Sequence, residues 1–461
     1  MSLPPTVKSL FKLISNPPLC VNNLHGWVKS VRLLKKVAFI DLQDGTTSKP
    51  IKLVIPREAN DCLKQLRTGQ SLHIKKANWK QTPSREQSFE LEALPQSVRI
   101  IGDVPDTYPL QKKYHSLSFL RSLPTLKHRS NYLGALLRFR SHVENSFASF
   151  FESQDFTKVS PPILTSSDCE GAGELFRVES NSKIASKELY FGKPTYLTVS
   201  TQLHLEIMAM ALSRCWTLSP SFRAEESDTN RHLAEFWMLE AELCFIDDVR
   251  KLSKFTESML KYVIRSCLQN KDSLLPAMVP QENTESLDNI AQRWEAMLLK
   301  EWPILSYTET IKLLQERHKK VAFKFPPSWG NALQTEHEKW LADSYNSPVF
   351  VVDYPRECKA FYMKQNNDDT VACFDLLVPQ MGEIIGGSIR EDDYERILQE
   401  MERRKMNTKD LEWYTSLRKQ GSAPHGGFGL GLERFVSWMF GSQNVRDAIP
   451  FHRSADGVID L

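Results

Sequence analysis

The segment Ser219–Phe245, SPSFRAEESDTNRHLAEFWMLEAELCF, is the strongest constraint on how this chain can fold. It reads as strand, polar loop, strand. Side chains of a strand point alternately to its two faces. On the second strand Trp237, Leu239, Ala241, Leu243 and Phe245 fall on one face, all apolar, and Phe236, Met238, Glu240, Glu242 and Cys244 on the other. A wholly apolar face predicts a core beneath it. The opposite face sets two carboxylates beside an aromatic ring and a methionine, where a solvent-washed face would carry more Lys, Thr and Ser. It suits a pocket that stacks a planar ring and binds a cation or an amide. On the first strand Arg223 and Glu225 share a face by the same rule. Arginine offers a planar fork for phosphate oxygens, and the glutamate suits a metal or a base amine. Arg231 and His232 in the loop are two further candidate phosphate donors.

A second signal is Pro424-His425-Gly426-Gly427-Phe428-Gly429-Leu430-Gly431-Leu432-Glu433-Arg434. It reads as a glycine-rich turn before a helix over Leu432–Phe440. Glycines let backbone approach a ligand closely, and Arg434 sits in the first helical turn. The run lacks the GK[ST] ending of a P-loop and is not the dinucleotide fingerprint.

The chain has 461 residues, which predicts two or three domains. Residues 20–104 predict a small barrel of short strands: Val21–Val28, Val37–Leu42, Ile51–Ile55, Ser71–Ile74 and Phe89–Ala93, with a turn at Asp44-Gly45-Thr46. Lys29, Arg32, Lys35, Lys36, Lys49 and Lys52 crowd its first half around Phe39. Two readings stay open: a phosphate-facing surface with Phe39 as a stacking platform, or a solvated wall with Phe39 in the core. Residues 105–130 read as a linker. A long amphipathic helix begins at Asn131 and carries Leu133, Leu136, Phe139, Val143, Phe147 and Phe150 at helical spacing. Residues 131–461 form the second domain, with a charged, largely helical insertion at about 250–345 interrupted by Trp302-Pro303-Ile304-Leu305.

Net charge is +3, so any basic surface must be local. The eight cysteines are scattered with no C-x-x-C pair, which argues against a zinc site or redox pair and suits a reducing compartment. No apolar run is long enough to span a bilayer, so no membrane partner is expected. Residues 1–19 hold two lysines and neither arginine nor acid, which fits an organellar targeting segment or a frayed terminus.

The two chemistry-bearing segments resemble motifs two and three of the class II aminoacyl-tRNA synthetases. The helix from 131 with Phe156-Thr157-Lys158-Val159-Ser160-Pro161 is similar to motif one. With the barrel in front, the order is that of the aspartyl/asparaginyl/lysyl subgroup, whose anticodon-binding OB domain the barrel resembles through Gly26-Trp27-Val28, Arg32, Phe39 and Asp44-Gly45. Within the subgroup the chain resembles the asparaginyl-tRNA synthetases, through Ser167–Phe176, Ser200–Glu206, Trp329-Gly330 with Glu336-His337-Glu338, Phe361-Tyr362-Met363 and Gly382–Arg390. The short form and basic leader look most like a mitochondrial one, with the cytoplasm as the alternative compartment.

The resemblance implies an α+β fold: an N-terminal OB-fold barrel, then a class II catalytic domain of antiparallel sheet flanked by helices. It implies ATP-dependent activation of L-asparagine, transfer to tRNA(Asn), Mg²⁺ as cofactor and a homodimer. Glu170, Ser200 and Gln202 would hold the substrate ammonium. Arg223 would bridge the substrate carboxylate and the α-phosphate. Phe236 would stack on adenine, with Arg434 on its other face near the γ-phosphate. Asp375 and Glu383 would hold the metal. Arg32, Phe39 and Lys52 would meet tRNA, although Lys52 stands where relatives often carry glutamine. Ile389 likewise replaces a commoner glutamine before Arg390.

The preference for asparagine has its own physical argument. In aspartyl relatives a lysine occupies the position matching Leu205. Leu205 shares a helix face with Gln202 and offers no charge to a carboxylate, whose desolvation would go uncompensated. The amide presents an acceptor and two donor hydrogens. Arg390 can donate to its oxygen, and Glu240 can accept from its nitrogen while repelling aspartate. The plainer alternative makes Leu205 a core residue only. Rival functions are an aspartyl-tRNA synthetase that charges one or both tRNAs, a pseudo-synthetase that binds RNA without catalysis, and an ammonia-dependent asparagine synthetase, against which the barrel argues.

Overall fold

A computed structural model of the chain describes residues 3–56, 61–85, 87–166, 175–180, 189–226, 229–281, 285–455 and 457. The chain divides into two compact units, Met1–Phe139 with Asn270–Leu287, and Arg140–Gln269 with Asp288–Leu461.

The first unit holds strands β1 (Cys20–Leu33), β2 (Val37–Gln43), β3 (Ile51–Pro56), β4 (Ser71–Gln81), β5 (Phe89–Ala93) and β6 (Val98–Gly102). Their order is β1-β2-β3-β5-β4-β6, and a further β1–β4 pairing closes the first five into a barrel. Closure removes exposed sheet edges. Alternation fills the interior with Val21, Leu24, Val28, Ala38, Ile40, Leu42, Leu53, Ile74 and Leu91. Phe39 is half-exposed and outside that core, which sets aside its reading as a core residue.

The N-terminal segment differs from a frayed end. Val7–Phe11 is a helix with a Thr6/Ser9 capping box. Val7 and Leu10 are buried in the barrel core, and the Val7 N–H donates to Asp44 Oδ2 at 2.7 Å. The 105–130 stretch holds a short helix, Leu117–Arg121.

The second unit is built on an eight-stranded sheet. Its strands are β7 (Thr157–Lys158), β11 (Arg214–Phe222), β12 (Glu235–Cys244), β13 (Ile304–Ser306), β14 (Val349–Pro355), β15 (Thr370–Val378), β16 (Gly382–Ile389) and β17 (His425–Gly431). The order is β13-β14-β15-β16-β17-β12-β11-β7. All pairings are antiparallel except β13–β14 and β7–β11 at the two edges. Three short strands, β8 (Leu164–Thr165), β9 (Arg177–Val178) and β10 (Thr195–Leu197), form a separate small sheet.

Two sequence expectations are corrected here, on the glycine-rich run and on Phe245, and a third gains detail: the 250–345 stretch, read as a largely helical insertion, is mostly helical and is tied into the sheet. Its apolar break supplies the edge strand β13, and the helices Tyr307–Lys320 and Thr335–Tyr345 bury Tyr307, Ile311, Leu314, Leu341 and Ala342 against Val349, Val351 and Val371 of the sheet. The glycine-rich run is not a turn but the central strand β17. Phe245 does not extend the apolar face of β12: the strand ends at Cys244, and Phe245 is 79% exposed with φ +64°.

Candidate active site

Register makes the site. In one row across the sheet Glu240 pairs with Gly429, Gly429 with Gly386, and Gly386 with Asp375. Residues in register across neighbouring strands point to the same face. Two glycines between two carboxylates therefore leave a trough with acidic walls. In the next row Glu242 pairs with Gly427 and Gly427 with Ser388. A Cβ on Gly427 would stand 2.0 Å from Glu242 Oε2, so only glycine fits between these strands.

Two cavities open along the trough. One, of about 210 Å³, is lined by Ser200, Gln202, Leu205, Glu240, Arg390 and Asp375, among others. The second, of about 290 Å³, is lined by Glu225, Arg231, His232, Phe236, Glu433 and Arg434, among others. Arg223, Met238, Glu383, Gly386 and Gly429 line both, so Arg223 stands at their junction.

The predicted residues are thus brought together, but several have partners the sequence did not reveal. Arg223 follows the end of β11 instead of lying on it; its guanidinium is 5.6 Å from the Phe236 ring centre and 3.8 Å from Glu225. His232 is 3.8 Å from Glu225. Arg231 Nη1 donates to Thr335 Oγ1 at 2.9 Å, and Arg434 Nη1 to the Glu383 carbonyl at 3.4 Å. Glu240 is engaged by Ser200 Oγ, Thr201 Oγ1 and the Thr201 N–H, at the start of the helix Gln202–Leu212. A carboxylate there also favours the positive end of the helix. Arg390 gives its fork to Glu242, Nε at 3.1 Å and Nη2 at 2.9 Å, and Nη1 to Ser388 Oγ at 2.7 Å. Leu205 lines the first cavity and also packs with Ala209, Cys215 and Cys244, a position compatible with either reading of it. Glu170 lies outside the described residues.

Asp375 and Glu383 flank Gly386: a Cβ there would be 3.7 Å from Asp375 Oδ1 and 3.3 Å from Glu383 Oε1. Lys359 Nζ donates to both Asp375 oxygens at 2.7 Å. Burial raises the Asp375 carboxyl, against the pull of Lys359. Glu338, which accepts the Glu383 N–H at 3.2 Å, is pushed up to about 7 by burial and by the nearby charge of Glu383 and Asp375. Lys359 was not singled out from the sequence; Glu242 was placed on the pocket face of β12 by alternation, and Glu338 and Glu206 lay in segments that carry the resemblance, but none of the three was given a role.

Comparison with known proteins agrees with this geometry. A family model described as tRNA synthetases class II (D, K and N) matches residues 119–455, and one described as OB-fold nucleic acid binding domain matches residues 23–101. The mitochondrial asparagine–tRNA ligase of Saccharomyces cerevisiae is 56% identical over 479 residues, covering 99% of this chain and 96% of that one. The chain belongs to the asparaginyl-tRNA synthetases of class II. A second such synthetase, the mitochondrial one of Schizosaccharomyces pombe, is 41% identical over 99% of this chain and 98% of its own. The crystal structure of asparaginyl-tRNA synthetase from Pyrococcus horikoshii complexed with asparaginyl-adenylate matches with a TM-score of 0.84 at 29% identity, over 99% of this chain and 100% of that one. As in the family's subgroup, this synthetase carries its OB-fold ahead of the catalytic sheet.

Proposed function

We propose that the chain activates L-asparagine with ATP in the paired cavities and transfers it to tRNA(Asn). The observation that carries this reading is the junction at Arg223. A guanidinium shared by two cavities can hold a carboxylate on one side and the α-phosphate on the other. The first cavity then takes asparagine, with Ser200 and Gln202 toward its ammonium and Arg390, Glu240 and Leu205 toward its side chain. The second takes ATP: Phe236 stacks on adenine, Arg434 faces it, and Glu225, Arg231 and His232 meet the phosphates and base amine.

The asparagine carboxylate attacks the α-phosphate in line, giving asparaginyl adenylate and pyrophosphate. The terminal adenosine hydroxyl of tRNA then attacks the carbonyl carbon of the adenylate, forming the ester to tRNA and breaking the anhydride bond, so that AMP leaves. Positioning and charge stabilisation lower the barrier; no side chain is required as nucleophile. Asp375 and Glu383 are the residues that would hold Mg²⁺, since both are hard oxygen donors beside a glycine that leaves room; Lys359, which donates to both Asp375 oxygens, would share that carboxylate. A magnesium ion bound there would supply charge neutralisation on the phosphate oxygens.

Arg32, Phe39 and Lys52 serve as the tRNA-facing surface of the barrel. They share its outer face: Arg32 pairs with Phe39 and Asp41 with Lys52 across the strands, and Lys52 is tied to Asp41. We further infer a homodimer, by analogy with the family's motif one, and a place in the mitochondrial matrix, supported by the names of the two yeast relatives. No helix among the described residues is long and apolar enough to cross a membrane. Asparagine- and aspartate-dependent pyrophosphate exchange, run side by side, tests the substrate. Asparagine should be strongly preferred; preference for aspartate would overturn the reading.

A further inference from the structure

Lys29, one of the basic residues crowded into the first half of the barrel, takes no part in the activation cavities. It lines a separate pocket of about 130 Å³ within the first unit, together with Trp27, His128, Arg129 and Arg138. None of the residues lining that pocket is acidic. Its walls are close-packed. A Cβ on Gly69 would run into the Tyr108 ring, and one on Gly134 would stand 2.9 Å from the His128 carbonyl oxygen. Pockets that take a drug-sized molecule hold roughly 300–1,000 Å³, so this one suits a single small group and not a whole nucleoside.

The cations of the pocket are not matched inside the protein. Lys29 Nζ donates to the Arg129 carbonyl oxygen at 2.9 Å, and burial draws its ammonium below the ordinary value. Arg138 gives Nη1 to the Gly45 carbonyl oxygen at 2.8 Å and Nη2 to Ser48 Oγ at 2.6 Å. Its Nε is buried with no partner among the described residues. All three acceptors are neutral. Asp44, the acid whose charge reaches Arg138, already accepts from the Val7 N–H at 2.7 Å and from Thr46. The Arg129 guanidinium lies 5.5 Å from the Trp27 ring centre and pairs with no carboxylate among the described residues. Water would satisfy such charges on an open surface. Lys29 and Arg138 are half-buried instead, where an unmatched charge is costly. A phosphate group offers oxygens to both guanidinium forks and to the ammonium.

We propose that this pocket is a phosphate-binding site, and that it takes a backbone phosphate of tRNA at a point apart from Arg32, Phe39 and Lys52. The placement favours RNA over a free anion. Trp27 pairs with Gln43 and Arg32 with Phe39 on the same two strands, β1 and β2. Five positions along a strand separate Trp27 from Arg32, about 16 Å. An OB-fold commonly engages about 4–16 nucleotides, so RNA lying on Arg32 and Phe39 extends as far as the pocket. The proposal rests on the reading that the chain binds tRNA.

The test is the salt dependence of tRNA binding. The affinity of the full-length chain for tRNA(Asn) is measured by fluorescence anisotropy between about 50 and 200 mM salt. Arg129→Gln removes a guanidinium whose charge no carboxylate of the protein meets. It should weaken binding about tenfold at the low-salt end, and the slope of log affinity against log salt should become shallower by about one. Arg129→Lys keeps the charge and should restore the native slope. An unchanged slope in Arg129→Gln would leave the pocket to a free anion or to a second copy of the chain, and the proposal would fall. A slope lost equally in Arg129→Lys would trace the effect to local structure and would also overturn it. The two readings fail separately. If the native chain binds no tRNA, the proposed function is wrong; if it binds and Arg129→Gln binds alike, only this site is.

Discussion

At the scale of single residues, the proposed choice between asparagine and aspartate rests on Leu205, Glu240 and Arg390, which line one cavity. Leu205 is 1% exposed and sits at the wall of the amino-acid cavity. A lysine there would bring a cation toward the substrate side chain. Leu205→Lys should raise the aspartate-to-asparagine ratio of kcat/KM in pyrophosphate exchange by about tenfold or more. An unchanged ratio would mean that Leu205 only packs. The sequence pointed to Leu205, Glu240 and Arg390, but not to what holds them. Glu240 is bound at a helix N-terminus, and Arg390 is bound by Glu242, 148 positions earlier in the chain. Alternation told that Glu242 shares a face with Glu240; it carried no information about which guanidinium would meet it.

At the scale of elements, two contacts can be tested. Glu400, on the helix Tyr394–Arg403, takes hydrogen bonds from Arg356, Arg403 and Arg404. Burial pushes its carboxyl up, but these three arginines hold it at about 2. A carboxyl held low stabilises the fold above its unfolded value, and that contribution is lost as pH falls toward the folded one. Glu400→Gln should therefore be less stable than the native protein at pH 7, and the gap measured by urea unfolding should narrow as pH falls from about 4.5 toward 2. A gap independent of pH would contradict the assignment. The N-terminal helix offers the second test. Leu10→Ala removes a side chain buried in the barrel core and should cost about 2–4 kcal/mol, read from unfolding of the full chain. No measurable loss would show that the helix adds nothing to the barrel. Strand periods and the barrel were legible because each element buries its own face. The edge strand β13 was hidden because three residues give no period to read.

At the scale of the whole molecule, the proposed function divides between the two units, with activation in the cavities of the sheet and tRNA contact on the barrel. Arg32→Ala combined with Phe39→Ala should lower kcat/KM for tRNA aminoacylation about tenfold, since one stacked base is worth about 1–3 kcal/mol. Asparagine-dependent pyrophosphate exchange should be unchanged, because no atom of the two cavities is touched. Equal loss in both assays would mean that the barrel surface acts through stability alone.

The sequence by itself determined a barrel ahead of a sheet and, through the resemblance its motifs carry, the class of the fold; it also picked out the arginines, carboxylates and aromatic ring that line the two cavities. The first follows from local pattern, a period of two on short strands, and the rest from motifs in a set order. Tertiary structure alone decided how those groups are paired. Two glycines aligned by register opened the trough between Glu240 and Asp375. The partners of Glu206 at Tyr414, Arg418 and His425 come from 208 to 219 positions away. Charge is a sum over neighbours in space, and the neighbours of a buried group are set by which strands lie side by side.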